Sequence, residues 1–231
     1  MTALRHRLIM LFIFLFVAVS VLPNSAWGEV KLPKPSFTGT MSVEAAMVAK
    51  KSVRNFSSTP LTLGQVSQLL WSANGNLAYD AVSGATTKVV PSAGALYPLE
   101  IFLLSGKDTV TGLPAGVHQY KPATNNLETI SSGDSRASLA QAALSQLWLA
   151  RAPAIIVIAA AFGRTTSKYG PEVGARFVLM EAGNSNQNLY LQAAALGLRA
   201  GTVGAFQDGP VAAAIKLPKG ISPLLIVAVG S

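Results

Sequence analysis

The chain has 231 residues, half of them apolar and only 12% charged, with a formal net charge of +8. That suits one ordinary domain with a sizeable core and excludes a disordered chain. With no cysteine at all, disulfides, thiolate zinc sites and iron–sulfur clusters are excluded, so any redox chemistry must come from a bound organic cofactor.

The chain opens with Arg5, His6 and Arg7, and an unbroken apolar run covers residues 8–19. Pro23 breaks the run's continuation, and the small residues Ser25, Ala26 and Gly28 follow. The run is shorter than the roughly 20 residues that a membrane-spanning helix needs. Residues 1–28 therefore read as a cleaved signal for export to the periplasm or the medium, with an uncleaved membrane anchor as the alternative. Arg5-His6-Arg7 is not a twin-arginine pair, so export of a prefolded, cofactor-loaded protein is not indicated. Beyond this segment the one histidine is His118, which excludes an all-imidazole metal site, and in a strand-like stretch it reads as structural. No metal site is expected. The remaining cations are scattered without interleaved aromatics, which argues against nucleic acid.

Residues 29–41, with Pro33 and Pro35, read as an extended linker, and residues 42–231 as the folded domain. Ser42 caps a short helix from 43 to about 51. Thr62 and Gln65 form a capping box, and Val66, Leu69, Leu70 and Ala73 continue at helical spacing to about residue 74. Residues 76–90 read as a polar loop. Residues 99–104 make a buried strand, and 116–120 with 127–130 make a hairpin. Residues 135–150 read as one helix, 154–162 as a central strand buried on both faces, and 172–198 as a long helix. A short strand at 202–203, a helix opened by Asp208 and Pro210, and a last strand at 224–229 complete the chain. The fold class is α+β, a mixed sheet covered by helices. The polar belt at 184–188 on the long helix needs partners, from a two-fold subunit interface or from a solvent channel.

Three segments carry candidate chemistry. Lys50, Lys51, Ser52 and Arg54 cluster three cations and a hydroxyl at a helix C-terminus. They complement the helix dipole there, and they are also what a phosphate monoester needs. Lys88 precedes Pro91, Ser92, Ala93, Gly94 and Ala95, a stiff small-residue loop that a flat ligand can approach closely. Val203, Gly204 and Ala205 offer unobstructed backbone after a short strand. No dinucleotide fingerprint, phosphate-binding Walker loop, nucleophile elbow or zinc helix is present.

The order KKSVRNF, PSAGALYPLE, SKYGPEVGARFVLMEAGNSNQNLYLQAAALGL and GTVGAF resembles the nitroreductase family, and within it the SagB-type dehydrogenase branch. The resemblance covers residues 43–230. It implies an α+β fold with a mainly antiparallel central sheet, a homodimer, and one FMN in each of two interfacial pockets. It implies that Lys50, Lys51, Ser52 and Arg54 hold the phosphate, ribityl chain and pyrimidine edge. Pro91, Ser92, Ala93, Gly94 and Ala95 would reach the flavin from the other subunit. Lys88 stands where the branch often has Arg, and Val203, Gly204 and Ala205 would lie near the reactive edge of the ring.

Lys168 and Tyr169 match a Lys-Tyr pair that acts as the base in azoline oxidases of this branch; otherwise they are an exposed loop pair. The function implied is an FMN-dependent oxidoreductase or dehydrogenase working by two-electron hydride transfer on a small or peptide-like substrate. A nitro- or quinone reductase and a non-catalytic flavin-binding protein are the alternatives. Two departures stand out. The sequence closes at Gly230-Ser231 without the basic tail that many nitroreductases use on the phosphate, and Asn184 stands where the branch often has His.

Overall fold

The computed structural model describes residues 28–80 and 85–231, so the expected signal segment lies outside the described residues except for Gly28. Among those residues no helix is long and apolar enough to cross a membrane. The framework is a seven-stranded sheet in the order β1-β6-β5-β4-β7-β9-β8. Its strands are β1 (Glu29–Lys31), β4 (Leu99–Ser105), β5 (Gly116–Lys121), β6 (Asn126–Ser132), β7 (Ala154–Ala160), β8 (Arg199–Val203) and β9 (Ser222–Gly230). All the pairings between these strands are antiparallel, where the sequence suggested a mixed sheet. Among the described residues, parallel pairing is confined to two isolated bridges, Ser52 with Ala200 and Leu61 with Val110.

Both faces of the sheet are covered, which is why its central strands are apolar throughout. Alternate side chains point to opposite faces. Ile101, Leu103, Ile156, Ile158, Val227 and Val229 therefore face α2 (Leu63–Asn74) and α5 (Pro171–Ala195). Phe102, Leu104, Ile155, Val157, Ile226 and Ala228 belong to a second core with α3 (Arg136–Ala142) and α6 (Asp208–Ala214). Every residue of β7 is buried, as its run of Ile, Val and Ala implies. His118, fully buried on β5, lies within hydrogen-bonding distance of Ser105 Oγ (3.2 Å), Thr129 Oγ1 (3.0 Å) and the Pro114 carbonyl (3.2 Å). Burial holds its pKa below the ordinary histidine value, consistent with a structural residue.

The capping signals are realised. Ser42 accepts from Ala45 N–H at the start of α1 (Val43–Ala49), and Thr62 and Gln65 complete a capping box on α2. Three elements differ from expectation. Residues 76–90 contain a hairpin, β2 (Asn76–Asp80) with β3 (Ala85–Lys88), instead of a loop. The stretch 135–150 is not one helix. α3 stops at Ala142, Leu144 and Ser145 take left-handed φ of 55° and 57°, and a 3-10 turn follows at Leu147–Arg151. Lys168 and Tyr169 close a short helix, α4 (Gly163–Tyr169), instead of lying in a loop. Residues 29–38 are extended but docked: Ser67 Oγ donates to the Pro33 carbonyl at 2.5 Å, and the Ser36 N–H donates to Gln68 Oε1 at 2.8 Å.

The segment after α1 runs beside β8, with Val53 N–H donating to the Ala200 carbonyl at 2.9 Å. Gly201 permits this, because a Cβ there would collide with the Val53 carbonyl and meet the Trp148 ring at 3.1 Å. Gly201→Ala is expected to cost about 2 kcal/mol by overpacking and to lower the melting temperature by about 4–8 °C. An unchanged thermal unfolding curve would show that residues 52–54 yield freely.

Candidate functional site

The structure gathers the sequence candidates into two groups, both tied to α5. In the first, Ser52 Oγ lies 3.1 Å from Tyr190 OH, and that phenol oxygen also accepts from Thr202 N–H at 3.1 Å. Tyr190 thus pins the cationic segment to β8 from beneath. The Lys50 ammonium lies 5.9 Å from the Tyr190 ring centroid, and the Arg54 guanidinium 5.9 Å from that of Trp148. Both are at the outer reach of cation–π attraction.

Among the described residues, Lys50, Lys51 and Arg54 take part in no ion pair, and all three are exposed. Three like charges held side by side without counter-ions suit a polyanionic group. Gly204 and Ala205 are exposed just beyond β8, and Gln146 Nε2 donates to the Ala205 carbonyl at 3.1 Å. Val203 turns its side chain into the core, 4% exposed, so only its backbone is open to a ligand.

In the second group, Gly94 lies against α4. A Cβ at Gly94 would stand 2.6 Å from Tyr169 OH and 2.9 Å from Lys168 Nζ. Lys168 is exposed, and Tyr169 is half-buried, edge-on to Phe177 with ring centroids 5.1 Å apart. Arg164, one turn earlier on α4, donates to the Tyr97 carbonyl at 2.9 Å and pairs with Glu100, which ties α4 to the loop.

Lys88 Nζ donates to Asn74 Oδ1 at 3.2 Å and sits 5.1 Å from the Tyr97 ring centroid. Burial pulls its pKa below the ordinary lysine value, while Glu100 and Glu181 act in the opposite direction. Glu181, on α5, is buried, and burial pushes its carboxyl up to about 7 against the pull of Ser92 and Lys88.

The polar belt of α5 is answered largely within the chain. Ser185 donates to the Ala73 carbonyl at 2.8 Å, Asn188 to the Ser72 carbonyl at 3.1 Å, and Asn186 accepts from Thr202 Oγ1 at 2.8 Å. Sequence reasoning missed Tyr190, Trp148, Arg164 and Glu181. No local signal marked them, because periodicity alone cannot show which side chains the fold buries. Glu181 and Tyr190 are nine residues apart, about 13 Å along the axis at 1.5 Å per residue. The two groups are therefore distinct places on one protomer.

A sequence model described as the nitroreductase family matches residues 47–231. The chain belongs to the nitroreductase family. A Methanocaldococcus jannaschii protein named as a nitroreductase is 39% identical over 202 residues, covering 87% of this chain and 96% of that protein. The crystal structure of a Ralstonia eutropha protein described as a nitroreductase superposes with a TM-score of 0.73 at 28% identity, covering 91% of this chain and 94% of the other.

The Escherichia coli microcin B17-processing protein McbC is a more distant relative. It is 29% identical over 149 residues, 62% of this nitroreductase-family chain and 54% of McbC. A chain of the microcin synthetase McbBCD complex matches with a TM-score of 0.65 at 26% identity, over 87% of this chain and 77% of that one. The α+β fold, with its antiparallel sheet flanked by helices, is that of the family.

The buried acid gives this fold a pH signature. Its folded pKa of about 7 lies above the ordinary glutamate value of 4.5, so folding takes up a proton in that interval and stability falls as pH rises through it. Glu181→Gln removes the cost. The variant is expected to gain about 3 kcal/mol over the parent at pH 8 and almost nothing near pH 4.5. Urea unfolding at the two pH values measures it, and an equal change at both would show that the carboxyl is not perturbed.

Proposed function

We propose that this nitroreductase-family oxidoreductase is an FMN-dependent dehydrogenase acting as a homodimer on a small or peptide-like substrate. The observation that carries the reading is the approach of Lys168 and Tyr169 to Gly94 at the centre of the small-residue loop. It puts two proton-handling side chains beside backbone that a flat ring can approach.

The residues fit the cofactor. Lys50, Lys51 and Arg54 supply charge without competing ion pairs, Ser52 a hydroxyl, and Gly204 and Ala205 open backbone. FMN, when bound, supplies a two-electron hydride acceptor. The protein's own part is to neutralise the phosphate, present a water-poor flat wall, and take the substrate's proton on Lys168 Nζ or Tyr169 Oη.

Pairing of two copies would bring residues 50–54 of one to the 91–95 loop of the other, uniting the two groups. Support comes from exposed apolar side chains on neighbouring helices: Val43, Met47 and Val48 on α1, and Leu179 and Met180 on α5. Exposed apolar side chains of this kind suit an interface. The likeness to McbC, a microcin B17-processing protein, favours a peptide-like substrate. The sequence reading of residues 1–28 as an export signal favours a dehydrogenase, since a nicotinamide donor is not expected outside the cytoplasm. The names of the Methanocaldococcus and Ralstonia relatives favour a second reading, a nitro- or quinone reductase on the same flavin.

Purified protein is expected to be yellow. Lys50→Glu with Arg54→Glu, which removes at least two charge-assisted contacts, should weaken FMN binding by about 10²–10³-fold with the melting temperature little changed. Unchanged FMN occupancy would remove the phosphate assignment. Lys168→Ala should slow anaerobic bleaching of the flavin by a peptide azoline probe by about 10²-fold or more at unchanged FMN content. A normal bleaching rate would reject Lys168 as the base.

A further inference from the structure

We infer that Arg164 is a positioning residue for the Lys168–Tyr169 pair: its guanidinium fork clamps the 92–97 loop in the form that sets Gly94 against both side chains. The inference rests on the reading of that pair as the proton-handling groups.

α4 offers the loop two contacts from one face. Arg164 and Lys168 are four residues apart, the spacing that stacks side chains on a helix surface. Lys168 Nζ and Tyr169 OH meet the middle of the loop at Gly94. Arg164 Nη1 donates to the Tyr97 carbonyl at 2.9 Å, at the loop's far end. α4 is itself held firmly: Thr165 is 1% exposed, and a Cβ at Gly174 of α5 would stand 2.7 Å from Thr166 Cα. The helix is therefore the fixed partner, and the loop is the part that needs holding.

The need arises from the loop's backbone. Gly94, Ala95 and Tyr97 have φ of 62°, 54° and 46°. Left-handed backbone is unfavourable for Ala and Tyr and persists where the surroundings enforce it. Tyr97 N–H donates to Ser92 Oγ at 2.9 Å, and Ala95 N–H to the Ser92 carbonyl at 3.1 Å. These bonds close the loop on itself and tie it to no other element. Arg164 supplies that tie, at the carbonyl of left-handed Tyr97.

The other arm of the fork is anchored in the sheet. Arg164 Nη2 pairs with Glu100 Oε1 of β4. The second oxygen, Glu100 Oε2, accepts from Gln119 Nε2 of β5 at 2.8 Å. Gln119 Oε1 accepts from Lys121 Nζ at 2.6 Å, and Lys121 pairs with Glu128 of β6 at 2.9 Å. A polar chain thus runs from β6 through β5 and β4 to α4 and ends on the loop. The carboxylate aims the guanidinium, and the guanidinium holds the strained carbonyl. A planar fork serves both acceptors at once, which an ammonium on a flexible stem does not fix in the same geometry.

The test needs neither substrate nor bound flavin. Amide hydrogen exchange of peptides covering residues 92–97 is compared in the parent, Arg164→Gln, Arg164→Lys and Glu100→Ala. Loss of one charge-assisted bond should speed loop exchange about tenfold or more in Arg164→Gln. Peptides from β4 and α5 should be unchanged, and so should the melting temperature, because the Arg164 side chain is 47% exposed and such pairs add little stability. Arg164→Lys, which keeps the charge and loses the fork, should exchange like Arg164→Gln. Glu100→Ala, which cuts the clamp from β4 without touching α4, should speed loop exchange too. With 3-fluorotyrosine incorporated, Glu100→Ala should also move the fluorine signal of Tyr169 and leave that of Tyr190 in place, with signals assigned by Tyr→Phe variants. Unchanged loop exchange in Arg164→Gln or Glu100→Ala, full restoration by Arg164→Lys, or a Tyr169 signal indifferent to Glu100→Ala overturns the inference.

Anaerobic bleaching of FMN-loaded samples by the peptide azoline probe separates the two readings. Where Lys168→Ala bleaches slowly, Arg164→Gln should also be slower than the parent at unchanged FMN content, and a parental rate there overturns the positioning role. Where Lys168→Ala bleaches normally, the reading of the Lys-Tyr pair fails, and loop exchange with the Tyr169 signal still decides whether Arg164 holds the loop.

Discussion

The close approach of residues 52–54 to the edge of the sheet is the constraint on which the candidate site depends. An exposed strand edge carries unpaired donors and acceptors that tend to recruit another strand. Here the edge strand β8 bonds to Val53, and the missing side chain at Gly201 leaves room for it. Repulsion among Lys50, Lys51 and Arg54 would spread them on a free coil. Pairing to β8 and the Ser52–Tyr190 contact hold them at fixed spacing, so the fold has already met the cost of concentrating the charge. That is electrostatic preorganisation for an anion, achieved without a counter-ion among the described residues.

The long helix α5 converts this local arrangement into a site with two parts. One face meets α2 through Ser185 and Asn188, and another meets β8 through Asn186 and Tyr190. Its belt of small polar residues, unusual for a helix lying on a sheet, follows from these contacts. Because α5 is continuous over 25 residues, it fixes the separation between the cationic group and the Lys-Tyr group. On the proposed reading, two copies related by a two-fold axis would unite the two groups around one flavin.

Legibility in the sequence tracked burial. β4, β7 and β9 were readable because both faces of the sheet are covered, and α2 because its capping box and apolar stripe agree. The hairpin β2–β3 was not, since its polar residues show no alternation against a core. α4, with the sequence GRTTSKY, lacks an apolar stripe and so gave no helical period. Residues 135–150 did carry that period, but left-handed Leu144 and Ser145 break the helix for a reason no local pattern displays. The cationic cluster, the small-residue loop and Lys168-Tyr169 were visible as residue types. Glu181 and Tyr190 were not, because their significance comes from burial in the folded chain and, for Tyr190, from its contact with Ser52.

The central claim is that the cationic segment of one copy and the small-residue loop of another share one planar, phosphate-bearing ligand. A crystal structure grown with excess FMN tests it most directly. The account predicts a two-fold dimer with the phosphate on Lys50, Lys51 and Arg54 of one protomer and the ring against residues 91–95 of its partner. A solitary protomer, or a dimer with that cleft closed and FMN elsewhere, would contradict it.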